Sequence, residues 1–526
     1  MINRFVPRGV AAFLLTTALA APALATTGSQ KEQALVGVDQ RAKMVQQMVD
    51  TIFSYAEPGF QEVRTSAYVT GILEKEGFKV TRGVADIPTA WTATWGDSGP
   101  LIALGSDIDC LLGLSQMPGS PQIKPMVEGA PGHGEGHNSG MPLMVAAALS
   151  ARDVMIKNNI HARLLIWPGV AEELLGSKAY YVRAGVFKGV DASIFAHVAS
   201  EFGTGYGDMG NTGMVSVEYQ FHGKTSHAAA APWLGRSALD GVELMDIAWN
   251  MRREHLPISQ RSHYVITNGG GQPNIVPGEA AVWYYFRDRT FADIRTLYET
   301  GNEISQAAAM ATGTTVTRKV LGYAAPNYGN KPLAEAAYAN IKLVGMPQWS
   351  PEDQAFAKQV QEANGFKLKP LAKEVDKLST PENRGGAVNA SSDDIGDVMW
   401  AVPTITVRFP SNVPNTIAHN VTAAIAMTTP IAHKGAVAGA KAIAMTVLDI
   451  ATTPSLVTAA KAYFAEQTKD TKYDPVLVPS DKQAIDLIND LMIRMRPQME
   501  KYYYDSAKYA TYLEQLGITY PPAPAK

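Results

Sequence analysis

Cysteine is almost absent: Cys110 is the only one in 526 residues. That excludes a disulfide framework within the chain and every paired-cysteine zinc or redox motif, each of which needs at least two thiols. An excess of one charge is missing too, with 46 Lys+Arg against 49 Asp+Glu and a formal net charge of -3. Nucleic-acid binding draws on a basic stripe, so no nucleic-acid partner is expected. Beyond the first residues no segment reads as long and apolar enough to cross a bilayer. What is present is 46% hydrophobic and 18% charged residues, the balance of a folded globular chain rather than a disordered, collagenous or coiled-coil one. At ~150 residues per domain the length suits about three domains, enough to bury a large core.

The exception to the apolar scarcity is the N-terminus. Arg4 and Arg8 precede an apolar run over residues 10–21, and Ala23-Leu24-Ala25 supplies the small-x-small pattern of signal-peptidase cleavage. The run is shorter than the ~20 residues that span a bilayer. Residues 1–25 are therefore expected to be a signal peptide cleaved after Ala25, leaving a periplasmic or secreted protein with no membrane attachment.

From about residue 33 to 199, helical and strand patterns alternate. Apolar residues recur at helical spacing over 38–53 and 65–76, and short apolar runs at 91–95, 100–107, 163–167 and 192–196 read as strands. Such alternation predicts an α/β domain with a largely parallel sheet. Near Gly210 the texture changes to strand 214–221, helix 238–253, strands 263–267 and 280–287, helix 291–311 and strand 314–321. That β-α-β-β-α-β order belongs to ferredoxin-like α+β domains. The α/β texture returns near Pro332, with a strand at 402–407 and a helix at 434–450. The expected organisation is a discontinuous α/β domain, residues 33–209 and 327–470, interrupted by a small α+β domain at 210–326. Residues 471–526 form a C-terminal helical extension, read as a helix pair over 481–516 whose Tyr502-Tyr503-Tyr504 serves packing.

The 10 histidines are unevenly spread, none preceding His133. Their densest knot is Pro131-Gly-His-Gly-Glu-Gly-His-Asn-Ser-Gly140. Its glycines let the backbone bend tightly enough to present Glu135 and His137 at one point, and that pair suits zinc or a harder ion such as manganese. Ala171-Glu172-Glu173 follows a strand; next to a metal, one carboxylate could ligate while the other takes a proton from water. His197 ends another strand, and His419 lies in the loop after the strand at 402–407. Taken alone, each reads more readily as a loop or a structural residue. Together they share a placement just beyond strand ends, where open α/β sheets gather ligands. The inserted domain adds His222-Gly-Lys-Thr-Ser-His227, Gly269-Gly-Gly-Gln-Pro-Asn274, and Arg287 at a strand end, which could clamp a carboxylate or form a surface ion pair.

With His133-Gly-Glu-Gly-His-Asn138, Ala171-Glu-Glu173, Gly223-Lys-Thr-Ser-His-Ala-Ala-Ala230, Asn274-Ile-Val-Pro277 and Ser391-Ser-Asp-Asp-Ile-Gly-Asp-Val398 in order, the chain resembles the aminoacylase/carboxypeptidase superfamily of dinuclear metallohydrolases. Within it, the likeness is closer to the amidohydrolases that include the B subunit of p-aminobenzoyl-glutamate hydrolase, and it runs from about residue 33 to 470. The resemblance implies a catalytic domain with an inserted lid that often dimerises. It implies two divalent metal ions, zinc or manganese, held by Glu135, His137, Glu173, His197 and His419, with Glu172 as general base. His227 and Asn274, on the lid, would help to hold the scissile carbonyl oxygen, and the lid histidine can serve the partner's site. Arg287 matches a position that can grip the substrate's carboxylate. One departure is Glu135, where close relatives commonly carry cysteine; a carboxylate can bridge two metals as an aspartate does in the carboxypeptidase branch. Asp107 and Asp109 match an acidic motif and are candidates for supporting the ligands.

The function expected is hydrolysis of the amide bond of N-acyl or N-aroyl amino acids, p-aminobenzoyl-glutamate-like, by an exported homodimer or higher homo-oligomer. The rivals are a metallo-dipeptidase or carboxypeptidase acting on short peptides, and a non-catalytic binding protein on the same scaffold.

Overall fold

Four strands whose side chains are mostly buried form the centre of the computed structural model, which describes residues 26–384 and 391–523; the expected signal peptide lies outside them. Arg163–Gly169, Leu101–Asp107, Ala192–Ala199 and Thr404–Pro410 lie side by side in parallel. Antiparallel strands flank them, Trp91–Trp95 and Lys79–Arg82 at one edge and Gly203–Thr204 at the other, giving seven in all. Near-continuous apolar runs such as Leu164, Leu165, Ile166 and Trp167 are what a sheet covered on both faces requires. The expected, largely parallel α/β sheet is thus present.

Gly140–Lys157 and Pro430–Thr452 are the buried helices packed beside this sheet. Their approach is close enough that a Cβ on Gly439 would sit 2.3 Å from Leu143 Cδ1. Contrary to the expectation from sequence, the stretches His137–Lys157 and Pro430–Thr452 are long and apolar enough to cross a membrane; most of each is buried within the protein, so their apolar surface is spent on the core.

Gly213–His222, Arg261–Asn268, Glu279–Asp288 and Thr315–Ala324 form a second, wholly antiparallel sheet, with helices Ala238–Arg252 and Phe291–Thr312 on one face. Chain order and strand order are those of a ferredoxin-like domain. Strand alternation explains both faces. Ala280, Val282, Tyr284 and Phe286 pack with Val242, Trp249 and Ile294 under the helices, so the intervening Trp283, Tyr285 and Arg287 point to the other side.

The C-terminal segment departs from the expected helix pair. It has the helix Asn489–Met499, continued by the 3-10 turn Glu500–Tyr502, and then a single helical turn, Tyr512–Gln515. Side chains hold much of the chain between Tyr502 and Tyr512: the Tyr504 hydroxyl donates to the carbonyls of Tyr509 and Ala510, and the Tyr512 hydroxyl to that of Tyr502. The segment clasps the helix Ala42–Tyr55, the Tyr504 N–H donating to Ser54 and the Tyr512 N–H to Asp50, while Arg496 pairs with Glu57.

Candidate metal centre

The site is assembled from turns just beyond the parallel strands. Glu135 and His137 flank Gly136, whose φ of 118° no other residue adopts cheaply and whose added Cβ would meet Met427 Cε at 2.7 Å. Glu172 and Glu173 form a 3-10 turn two residues after the strand Arg163–Gly169, bounded by Ala171 (φ 52°) and Leu175 (φ 49°). His419 also has a positive φ, 57°. Non-glycine residues in this region cost about 1–2 kcal/mol each, a strain that the surrounding structure must hold.

These turns bring all five expected ligands together. Glu135 Oε1 lies 3.3 Å from His197 Nε2, and Glu135 Oε2 lies 3.0 Å from His419 Nε2. His419 Nε2 is also 3.3 Å from Glu173 Oε2, and Glu173 Oε1 is 3.9 Å from His137 Nδ1. The His137 and His197 rings stand edge to face, 5.6 Å between centroids. His197 donates from Nδ1 to the Val198 carbonyl at 2.9 Å, which leaves Nε2 as the inward-facing ligand atom. Asp109 supports the group: its Oδ1 faces His137 Nδ1 at 3.4 Å and its Oδ2 accepts the Glu173 N–H at 3.0 Å. Asp107 comes closer than a supporting role required, since one of its oxygens shares a 4.8 Å cluster with ligand atoms of His137 and His197. Glu172 clusters likewise with His137 and Glu173, and on its other side with Asp393 and Asp394.

The electrostatics are those of a site built for cations. Burial, then the charge of Glu135, pushes Glu173 up to about 8. Burial pushes Asp107 up to about 6, against the pull of Lys178, and raises Glu172 well above the carboxylate range with Asp107, Asp393 and Glu173 adding to it. Asp107 Oδ2, Asp109 Oδ1, His137 Nε2 and both oxygens of Glu173 are buried without a hydrogen-bond partner among the described residues. Such orphaned acceptors are costly unless something positive meets them. The donor set, two carboxylates and three imidazoles with the Asp107 carboxylate beside them, fits a pair of divalent ions.

Lys178 was invisible in the sequence. Fully buried, its Nζ donates to Asp107 Oδ1 at 2.6 Å and to Asp394 Oδ1, with Asp393 at 4.0 Å. It is the fixed cation that balances this acidic wall. Nothing in its local pattern distinguishes it from a solvent-facing lysine at a helix start. Arg287 lies on the lid face opposite the lid helices; Nη1 donates to Ser392 Oγ at 3.0 Å, and its buried Nε has no acceptor among the described residues. Burial lowers its basicity while the charges of Tyr285 and Glu172 oppose that.

Two expected residues stand apart. His227 and Asn274 meet each other, through the Ala228 N–H donating to the Asn274 carbonyl and a bridge from His227 to Ile275. Both are exposed, and among the described residues no hydrogen bond or ion pair joins them to the cluster of the same chain. His133 is also outside it: buried against Phe53, with its Nε2 3.2 Å from the Ile52 carbonyl, it is held neutral by burial, which lowers it to about 3.

A family model described as the M20 peptidase dimerisation domain matches residues 209–311. The B subunit of p-aminobenzoyl-glutamate hydrolase from Escherichia coli (strain K12) is 33% identical over 432 residues, covering 77% of this chain and 88% of the relative. The Xaa-Arg dipeptidase of Mus musculus is 28% identical over 440 residues, covering 82% of this chain and 92% of that one. In fold, the chain is similar to the crystal structure of an aminobenzoyl-glutamate utilization protein from Klebsiella pneumoniae, with a TM-score of 0.54 at 16% identity over 78% of this chain and 96% of the other.

Proposed function

Because the chain belongs to the M20 family of amide-bond hydrolases, alongside the B subunit of p-aminobenzoyl-glutamate hydrolase, we propose that it is an exported two-metal amidohydrolase acting on N-acyl or N-aroyl amino acids. The observation that carries this reading is the convergence of orphaned, buried ligand atoms on one point with Glu172 beside it. Glu135, His137, Glu173, His197 and His419 would hold two ions, zinc or manganese. When bound, these supply Lewis acidity that polarises an amide carbonyl and makes water more acidic.

The chain's own residues do the rest. A carboxylate oxygen of Glu172 takes the proton of the attacking water and returns it to the leaving amine nitrogen. Burial and three neighbouring carboxylates raise its proton affinity, and nearby divalent charge would lower it, favouring the carboxylate form that accepts the proton. Arg287 offers an unfilled Nε–H to a substrate carboxylate. His227 and Asn274, remote from their own chain's cluster, suit a role in the site of a second copy, where they would donate to the scissile carbonyl oxygen. The face for that pairing is the outer strand Arg261–Asn268, with exposed Val265 and Ile266, beside the helix Ala238–Arg252, with exposed Leu244, Ile247 and Met251. Export rests on the N-terminal pattern ending at Ala25.

The test is amine release from N-acyl amino acids, p-aminobenzoyl-glutamate and plain dipeptides, with zinc or manganese and again after chelation. Chelator-sensitive release from acylated substrates, abolished in Glu172→Gln with metal retained, is the expected result. Faster cleavage of plain dipeptides would move the assignment to the peptidase branch. Ligand binding without turnover under any metal would make the protein a binding module.

A further inference from the structure

Along the central strand Thr404–Pro410, the one side chain that is neither buried nor half-buried is Arg408. A charged residue in the middle of such a strand needs a reason. Its register supplies one: Arg408 pairs with His197 in the neighbouring parallel strand, so the two side chains leave the same face of the sheet, one strand spacing apart. On its other side it faces Gly203, which leaves its path open. No carboxylate or carbonyl among the described residues engages its guanidinium.

Arg408 stands where two cavities meet. One, of about 210 Å³, includes Glu135 and His197 in its wall. The other, of about 250 Å³, is lined by Asn211, Asn327, Asp376 and Asp393 among others. Glu201 borders both cavities but is already engaged, accepting the Ser200 hydroxyl at 2.8 Å and facing Lys369 at 3.8 Å. Ser392, which takes the Arg287 hydrogen bond, is the chain neighbour of Asp393. Arg408 thus lines the second cavity directly, and Arg287 on the lid is tied by Ser392 to the segment that supplies Asp393 to its wall.

We propose that Arg408 is a specificity-determining residue, so that the site selects N-acyl derivatives of acidic amino acids, the α-carboxylate held by Arg287 and the side-chain carboxylate by Arg408. The inference rests on the amidohydrolase reading and deepens it. A carboxylate can satisfy a guanidinium bidentately, whereas the amide of glutamine offers one neutral acceptor and turns a donor toward the arginine. Loss of a charge-assisted hydrogen bond of this kind is about a 10- to 100-fold effect.

The experiment compares kcat/KM for N-acetylglutamate, N-acetylglutamine and N-acetylarginine in the metal-loaded protein and in Arg408→Gln and Arg408→Lys, with the metal content of each measured to show that His197 is undisturbed. Expected is a glutamate-over-glutamine ratio of about 10–100 in the parent, collapsing to within about threefold in Arg408→Gln, chiefly through KM, and partly restored in Arg408→Lys. Calorimetric binding of N-acetylglutamate to Glu172→Gln, weakened when Arg408→Gln is added, would support the same site without turnover. Cleavage with no glutamate preference, or a preference for arginine guided by Glu201 and Asp376, would overturn the inference and leave the amidohydrolase reading standing. Neither cleavage nor calorimetric binding of any acylated amino acid would overturn both.

Discussion

Replacing Lys178 by methionine is the sharpest perturbation of the acidic wall. The lysine is fully buried between Asp107 and Asp394, themselves at 1% and 0% side-chain exposure. Methionine keeps the bulk of the stem and removes the charge. Taking one partner from a buried ion pair costs about 3–5 kcal/mol, because the remaining charge is left without compensation. The sign of the pH dependence follows from the neighbours. Burial pushes Asp107 up to about 6 and Asp394 up to about 7 even with the lysine drawing both down. Without it both rise further, so the folded variant keeps a proton that the folded parent releases. A carboxyl whose folded pKa exceeds its unfolded value of ~3.9 gains a proton on folding, and its folding is favoured by acid. Each pH unit costs ~1.36 kcal/mol per proton that the folded state still holds; since the parent releases Asp394 near 7 and Asp107 near 6, the variant's deficit should widen between pH 6 and pH 8 by about 1.4 kcal/mol through Asp394 and about 2 kcal/mol through Asp107. Urea unfolding of parent and Lys178→Met at both pH values, with chelator present to remove metal linkage, measures this directly. A deficit under about 1 kcal/mol at pH 8, or one equal at both pH values, would refute the assignment of Lys178 as the countercharge.

Metal affinity should fall as pH drops from 8 to 6, because burial raises Glu173 to about 8 and Asp107 to about 6 and bound cations must displace those protons; calorimetry in buffers of different ionisation enthalpy should show proton release, and a pH-independent affinity would contradict it. Glu135→Cys should shift the ion retained from an equimolar zinc and manganese mixture toward zinc, since thiolate is the softer ligand, as read by elemental analysis. Ile247→Lys, on the exposed apolar stripe of the lid helix, should halve the mass seen in sedimentation velocity; an unchanged mass would move the subunit contact elsewhere.

Most of the sheet and the five clustered residues were legible because their patterns are local. Period-two alternation marks Glu279–Asp288, and glycine-rich turns after apolar runs mark Glu135 and His137. Asp107 was legible as a supporting residue, but not its approach to His137 and His197, because that depends on the pairing of the strands that carry them. Lys178 and Asp394 lie 216 residues apart, and nothing near either one announces the other. Arg408 did leave a trace, as a charge inside an apolar strand, yet its meaning waited on the register that sets it beside His197. Between the helix Asn489–Met499 and the turn Tyr512–Gln515 the C-terminal segment departs from a helix pair, because the Tyr504 and Tyr512 hydroxyls satisfy carbonyls there, which no local pattern announces.

The strand Thr404–Pro410 completes the parallel sheet from the far side of the inserted domain, pairing with Ala192–Ala199 some two hundred residues earlier. On the ribosome, at ~5–20 residues per second, that gap is about 10–40 s during which Ala192–Ala199 is a bare edge and His419 does not yet exist. Four of the five gathered ligands wait through that interval for the fifth. The full ligand set is therefore completed only by the segment that also closes the sheet, so the order of synthesis couples the last ligand to the last central strand.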